Sequence, residues 1–362
     1  MPTGRIAALT GPQQLEVQSY PVPEPGPGAV LLRVRRANVC GSDVHQFHYE
    51  SAALRRAGLG HEFVGEVLAL GAGVDTDFAG APVAVGDRVV AVYYLTCHRC
   101  PECLRGELHA CRNALASWAT APSVAPHFRS AFATHYHLQP GQYFYKVPDT
   151  VDDATVAGAN CGLAQVLFVL DRVRLAAGET VVIQGAGGLG LYAAAVAADR
   201  GARPVIVDGI GERLELARRF GAQETVDMRE HPTAADRAGA VDKLTGGLGA
   251  DVVLEVTGVP AAFTEAIELA RTGGRVASVG NLNAATAVPI TPGILTRKSL
   301  TVHGVLRYDP WYLHRAVAFL ERRHDRYPFD AFTDRAYGLD RIVEALRSGE
   351  RRSTARAAVV PQ

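Results

Sequence analysis

Residues 180–202 read TVVIQGAGGLGLYAAAVAADRGA, and this stretch constrains the fold more than any other. An apolar β-branched run stops at a glycine turn, and an alanine-rich, helix-compatible run follows. The turn fits G-x-G-x-x-G at Gly185, Gly187 and Gly190, in the strand–turn–helix context that gives the motif meaning. Gly185 permits the tight turn, Gly187 lets backbone approach a pyrophosphate, and Gly190 allows close helix packing. Gly188 and Leu189 open the helix, whose free N–H groups can receive phosphates. Asp208 ends the next strand-like run, 18 residues beyond Gly190. A carboxylate there accepts ribose hydroxyls and repels a 2′-phosphate, so NAD is expected over NADP. The plainer reading is a glycine turn and a helix-capping Asp.

Strand-like and helix-like runs then alternate: PVIVD and ERLELARRF, DVVLEVTG and AAFTEAIELARTG, then RVASVGN. This is the pattern of a doubly wound parallel sheet in an α/β domain. Residues 1 to about 150 differ, with short β-branched runs at 29–40, 62–71 and 87–97 separated by Gly and Pro. At 362 residues the chain exceeds what one hydrophobic core usually supports. Three units are expected: 1–154, with a cysteine lobe at about 95–113; 155–295, the parallel-sheet domain; and a segment 296–362.

Thirty-seven Lys and Arg balance thirty-seven Asp and Glu, which argues against a dedicated nucleic-acid binder or a polybasic membrane anchor. Residues 154–170 and 180–198 lack charge, yet Gly, Asn and Gln interrupt them, and both are read as buried core. The N-terminus shows no apolar export segment, so a cytoplasmic protein is expected.

Four of the six cysteines lie in CHRCPECLRGELHAC: Cys97, Cys100, Cys103 and Cys111. Four thiolates this close suit one tetrahedral zinc ion with no open position, a structural site. An iron–sulfur cluster uses other usual spacings. The lobe read alone also suits a zinc ribbon on nucleic acid, but it carries only Arg99, Arg105 and Arg112. Cys40 and Cys161 remain. Each alone is ordinarily a small buried residue. With His61 they would supply a Cys₂His set that leaves one place for water or substrate. Spacing over 121 residues does not show that they meet.

Taken together, CGSDVH, GHEFVGEV, the four-Cys lobe, GANCGL and GAGGLG followed by Asp208 make the chain resemble the zinc-dependent medium-chain dehydrogenase/reductases, the alcohol and polyol dehydrogenases. The resemblance spans essentially the whole length. It implies a GroES-like β-rich catalytic domain, a Rossmann NAD domain and a C-terminal segment returning to the first, with the active site between domains. It implies Cys40, His61 and Cys161 as catalytic zinc ligands, hence two zinc ions per chain. Glu62 matches a carboxylate near the metal, Asp43 the partner orienting His61, Ser42 the hydroxyl taking the alcohol proton, and His45 the relay to solvent. Arg356 matches a basic residue near the pyrophosphate. Residue type alone also allows Ser42 as a turn residue, Asp43 as a helix cap, His45 as surface, Glu62 as a structural partner and Arg356 as surface charge. Phe47, His48, Tyr93, Trp118 and Leu306 align with the substrate pocket, though core packing suits them equally. The implied activity is reversible oxidation of an alcohol, with a secondary alcohol of moderate size expected rather than ethanol. The family forms dimers and tetramers, and one of these is expected. An NAD-binding relative without turnover is the competing reading.

Overall fold

The structure is a computed structural model that describes residues 2–48, 57–117, 119–280, 286–350 and 356–361. It divides into two compact units, Met1–Ala164 with Asp309–Gln362, and Gln165–Tyr308.

In the first unit, β1 (Thr3–Gly11) and β2 (Gln14–Pro21) form an antiparallel hairpin. Strands β3 (Val30–Asn38), β4 (Glu62–Leu70), β5 (Arg88–Ala91), β6 (His135–Leu138) and β7 (Phe144–Lys146) build most of a second sheet. β3 pairs antiparallel with β4 and with β6. Its inward Val30, Leu32 and Val34 alternate with Arg33 and Arg35, as a sheet with one covered face requires. Those inward residues pack with Phe63, Val67, Val89 and Phe132 in the core.

The second unit holds a six-stranded sheet of β8 (Thr180–Gln184), β9 (Arg203–Asp208), β10 (Glu224–Asp227), β11 (Ala250–Glu255), β12 (Ala270–Ser278) and β13 (Thr301–Gly304). All its pairings are parallel, in the order β10-β9-β8-β11-β12-β13. The strand order reverses between β8 and β11, which makes the carboxyl ends of those strands the expected ligand edge. β8 is buried along its whole length, as parallel strands covered on both faces are. The helix Gly188–Asp199 follows it.

The chain returns to the first unit at Asp309. The helix Trp311–Arg323 leads to β14 (Thr333–Tyr337) and β15 (Arg356–Val359), which extend the β3 sheet in the order β14-β15-β3-β4-β5-β7. Both expected boundaries therefore move toward the C-terminus. The first falls at 164 rather than 154, because the turns carrying Asn160 and Cys161 belong to the first unit. The second falls at 308 rather than 295, because β13 adds to the edge of the parallel sheet beside β12. The uncharged run at 154–170 lies in the helical stretch Asp153–Arg172, long and apolar enough to span a membrane, with 89% of its apolar window buried in the fold.

Candidate active site and cofactor loop

Cys40 lies where β3 gives way to the helix Gly41–Phe47, and that helix carries Ser42, Asp43 and His45. His61 immediately precedes β4, and Glu62 is its first residue. Cys161 sits in a π-helical turn, Ala159–Leu163, a distortion often found at functional sites. These segments bring together one ligand atom from each of Cys40, His61, Glu62 and Cys161, all within 4.8 Å of one another.

Asp43 is the organiser of this cluster. Its Oδ1 accepts from Gly60 N and His61 Nδ1, both at 3.1 Å, and its Oδ2 accepts from Cys40 N at 2.9 Å. One buried carboxylate thus fixes two ligand-bearing segments. Donation through Nδ1 leaves Nε2 of His61 as the ligand nitrogen. Ser42 Oγ stands 3.5 Å from that Nε2, and His45 lies three residues further along the same helix, exposed. The Tyr93 ring meets His61 edge-on at 5.1 Å.

The electrostatics fit a cation. Cys161 donates to Cys40, which holds the Cys40 thiol well below its ordinary range and Cys161 well above. Burial opposes charge on His61, but Asp43 and Cys40 outweigh it and push its pKa up. Burial raises Glu62 to about 8 against the pull of Arg356. Arg356 Nη1 donates to Glu62 Oε2, while Glu62 Oε1 is buried without a partner. Two thiols, an imidazole oriented through its far nitrogen, and an orphaned carboxylate oxygen form a donor set suited to zinc.

The lobe gathers Cys97, Cys100, Cys103 and Cys111 with sulfurs within 4.8 Å. Leu95 N donates to Ala114 O at 3.1 Å and closes its stem. The Asn113 amide donates to Cys97 and helps hold that thiol down to about 5, while burial pushes Cys103 up to about 12. Four clustered sulfurs suit a closed zinc site. His109 donates through N and Nδ1 to Asp309 Oδ1, both at 2.9 Å, and so ties the lobe to the returning chain.

In the second unit, a Cβ on Gly190 would lie 1.8 Å from Gly185 O, so only glycine permits this turn-to-helix approach. Gly187 caps the helix with no side-chain hydrogen bond, and a Cβ there would meet open space. Gly188 and Leu189 form the first helical turn. Asp208 accepts from Ala186 N at 2.7 Å and Ile210 N at 2.9 Å, so its carboxylate is built into the glycine turn.

The other expected residues have the following surroundings. Arg356, expected at the pyrophosphate, lies in β15, where its Nη1 donates to the buried Glu62. Phe47 is fully buried in the core and packs there rather than lining a pocket. His48 bonds Glu350 at 2.7 Å at the surface. The Leu306 side chain is exposed, and its carbonyl accepts from Gln165. Trp118 lies outside the described residues. Among the pocket candidates, Tyr93 touches the cluster.

Two residues escaped the sequence reading. The Asn160 amide donates to His61 O at 2.7 Å and Ala91 O at 2.9 Å, and so positions the turn that carries Cys161. Its place beside Cys161 in GANCGL was the available signal. Glu255, fully buried at the end of β11, accepts from Thr257 N, Thr257 Oγ1 and Gly258 N at 2.8 to 2.9 Å. A glutamate ending an apolar strand run is a visible anomaly.

Comparison with known proteins agrees with this architecture. The alcohol dehydrogenase GroES-like domain matches residues 26–149, and the zinc-binding dehydrogenase family matches residues 188–322. A 5-exo-hydroxycamphor dehydrogenase from Pseudomonas putida is 34% identical over 350 residues, 96% of this chain and 95% of that protein. An alcohol dehydrogenase structure from Thermotoga maritima superposes with a TM-score of 0.94 at 29% identity, covering 100% of both chains. A Sinorhizobium meliloti dehydrogenase structure bound to NADP gives 0.86 at 28% identity, again covering 100% of both. Those matches support a nicotinamide cofactor, zinc and an alcohol-type substrate oxidised at CH–OH. The chain belongs to the zinc-dependent medium-chain dehydrogenase/reductases, with a GroES-like domain and a Rossmann-type parallel sheet.

Proposed function

We propose that the chain oxidises a secondary alcohol of moderate size to a ketone, reversibly, with NAD as hydride acceptor and two zinc ions per chain. The observation that carries this reading is the convergence of Cys40, His61 and Cys161 beside a carboxylate oxygen with no partner.

Zinc held by Cys40, His61 and Cys161 would supply Lewis acidity that lowers the proton affinity of the substrate hydroxyl. The chain's own residues do the rest. Asp43 fixes the His61 ring and the Cys40 backbone, which sets the donor geometry in advance. Ser42 Oγ, next to His61 Nε2, takes the hydroxyl proton, and the exposed His45 passes it to solvent. Arg356 draws Glu62 toward its charged form against burial. NAD, when bound, would supply the acceptor for the hydride that leaves the alcohol carbon, so that the products would be ketone, NADH and one proton.

Asp208 supports NAD. Its carboxylate is anchored by two backbone amides at the end of β9, where a 2′-phosphate would meet a fixed negative group. The relative acting on 5-exo-hydroxycamphor, a ring alcohol, supports the substrate class. The test is coenzyme reduction over a panel of cyclic and acyclic secondary alcohols, primary alcohols and threonine, with NAD and NADP in parallel. Turnover strongest with a cyclic secondary alcohol and NAD is expected. No reduction with any alcohol in the zinc-loaded protein would contradict the reading.

A further inference from the structure

Beyond Asp208 the second unit has a cavity of about 420 Å³ lined by Gly209, Ile210, Gly211, Glu212 and Arg229. On the reading above, which this inference takes as its basis, the adenosine end of the coenzyme binds here. β9 and β10 run parallel with Asp208 and Asp227 as register partners, so two carboxylates stand on the same face of neighbouring strands. Asp208 faces the glycine turn. Asp227 faces the lining cation. Its Oδ1 accepts from Arg229 N at 2.8 Å and from Nε at 3.0 Å, and its Oδ2 accepts from Nε at 3.0 Å and from Nη2 at 2.5 Å.

The Arg229 guanidinium also lies over Gly211 at the cavity. A Cβ on Gly211 would lie 2.7 Å from Nη2 and 3.3 Å from Cζ. Gly211 therefore leaves room for the guanidinium, and Asp227 fixes the fork edge. The other nearby cation, Arg213, lies 3.9 Å from Asp208. A 2′-phosphate entering this cavity needs guanidinium hydrogen bonds and an uncompensated positive charge. Both cations near the cavity already face a carboxylate.

We propose that Asp227 is a specificity-determining residue: by engaging Arg229 it withholds the cavity's guanidinium from a 2′-phosphate and reinforces the exclusion of NADP begun by Asp208. The arrangement also makes the preference reversible by small changes. Arg229 is 63% exposed in its side chain, so once released it can turn toward a phosphate without disturbing the core.

The experiment compares kcat/KM for NAD and NADP in the zinc-loaded wild type, Asp227→Asn, Arg229→Gln and the double variant. Asp227→Asn keeps size and an acceptor oxygen but removes the charge. It is expected to raise kcat/KM for NADP about tenfold while NAD stays within about threefold, the scale of one nearby charge in a solvated site. Arg229→Gln leaves Asp227 uncompensated and is expected to lower NADP use further by a similar factor. The double variant is expected to lose the gain. If Asp227→Asn folds with unaltered NAD kinetics yet leaves NADP unimproved, the proposal fails. It fails equally if Arg229→Gln raises NADP use, a test that needs only an exposed substitution. A wild type inactive with both coenzymes overturns the dehydrogenase reading, and a wild type that prefers NADP overturns the NAD assignment and this role with it. An NAD-preferring wild type with an unresponsive Asp227→Asn sinks only the role of Asp227.

Discussion

Glu62 shows how closely neighbouring side chains depend on one another here. It is fully buried, its Oε2 is taken by Arg356, and burial still lifts its pKa to about 8. An isolated buried carboxylate costs several kcal/mol and neutralises itself instead. Arg356 and a cation at Cys40, His61 and Cys161 together offset that cost. Ser42 is a different kind of residue, half-buried and within 3.5 Å of His61 Nε2 without being a metal donor. Ser42→Ala should therefore keep its zinc, while kcat falls by about 10² as a general acid–base group is lost. Metal analysis with steady-state kinetics checks this, and unaltered kcat would place the proton path elsewhere. Phe47, for which core packing and the substrate pocket were equally open readings, takes the core one. Its position in CGSDVHQF sits near the chemistry in sequence, but the helix Gly41–Phe47 turns it into the core.

Local elements were legible where one short segment contains the whole pattern. The glycine turn lies between β8 and its helix within 20 residues, and four cysteines share 15 residues, so spacing alone reports both. The catalytic set was not legible in this way. Its segments are the end of β3, the start of β4 and a π-helical turn, joined by Asp43 and Asn160 across sheet pairings that leave no periodic trace. Only the resemblance joined Cys40 to Cys161. The Asp309 clasp on His109, 200 residues away in the chain, was likewise invisible. The lobe leads to a prediction of its own. Cys103→Ser should release one zinc ion and loosen the lobe, lowering the thermal midpoint by a few degrees, since a structural zinc contributes folding energy directly. Differential scanning fluorimetry with metal analysis tests this, and an unchanged midpoint with two zinc ions would remove Cys103 from the site.

At the scale of the molecule, composition and alternation were enough to foresee a β-rich part and a doubly wound parallel sheet. They were not enough to place the boundaries. β13 joins the parallel sheet by edge pairing with β12, and β15 joins β3 by pairing across more than 300 residues. Strand partners at such separations are set by tertiary packing, and short apolar runs do not encode them. The β15 return matters for chemistry because it delivers Arg356 to Glu62. The account as a whole rests on His61 joining two cysteines at a site distinct from the lobe. The most direct measurement is zinc content and alcohol-dependent NAD reduction, taken together for the wild type and His61→Ala. About two zinc ions per chain in the wild type and about one in the variant, with turnover lost by at least about 10³, are expected when a catalytic metal ligand is removed. Two retained zinc ions with NADH formation intact in His61→Ala would contradict it.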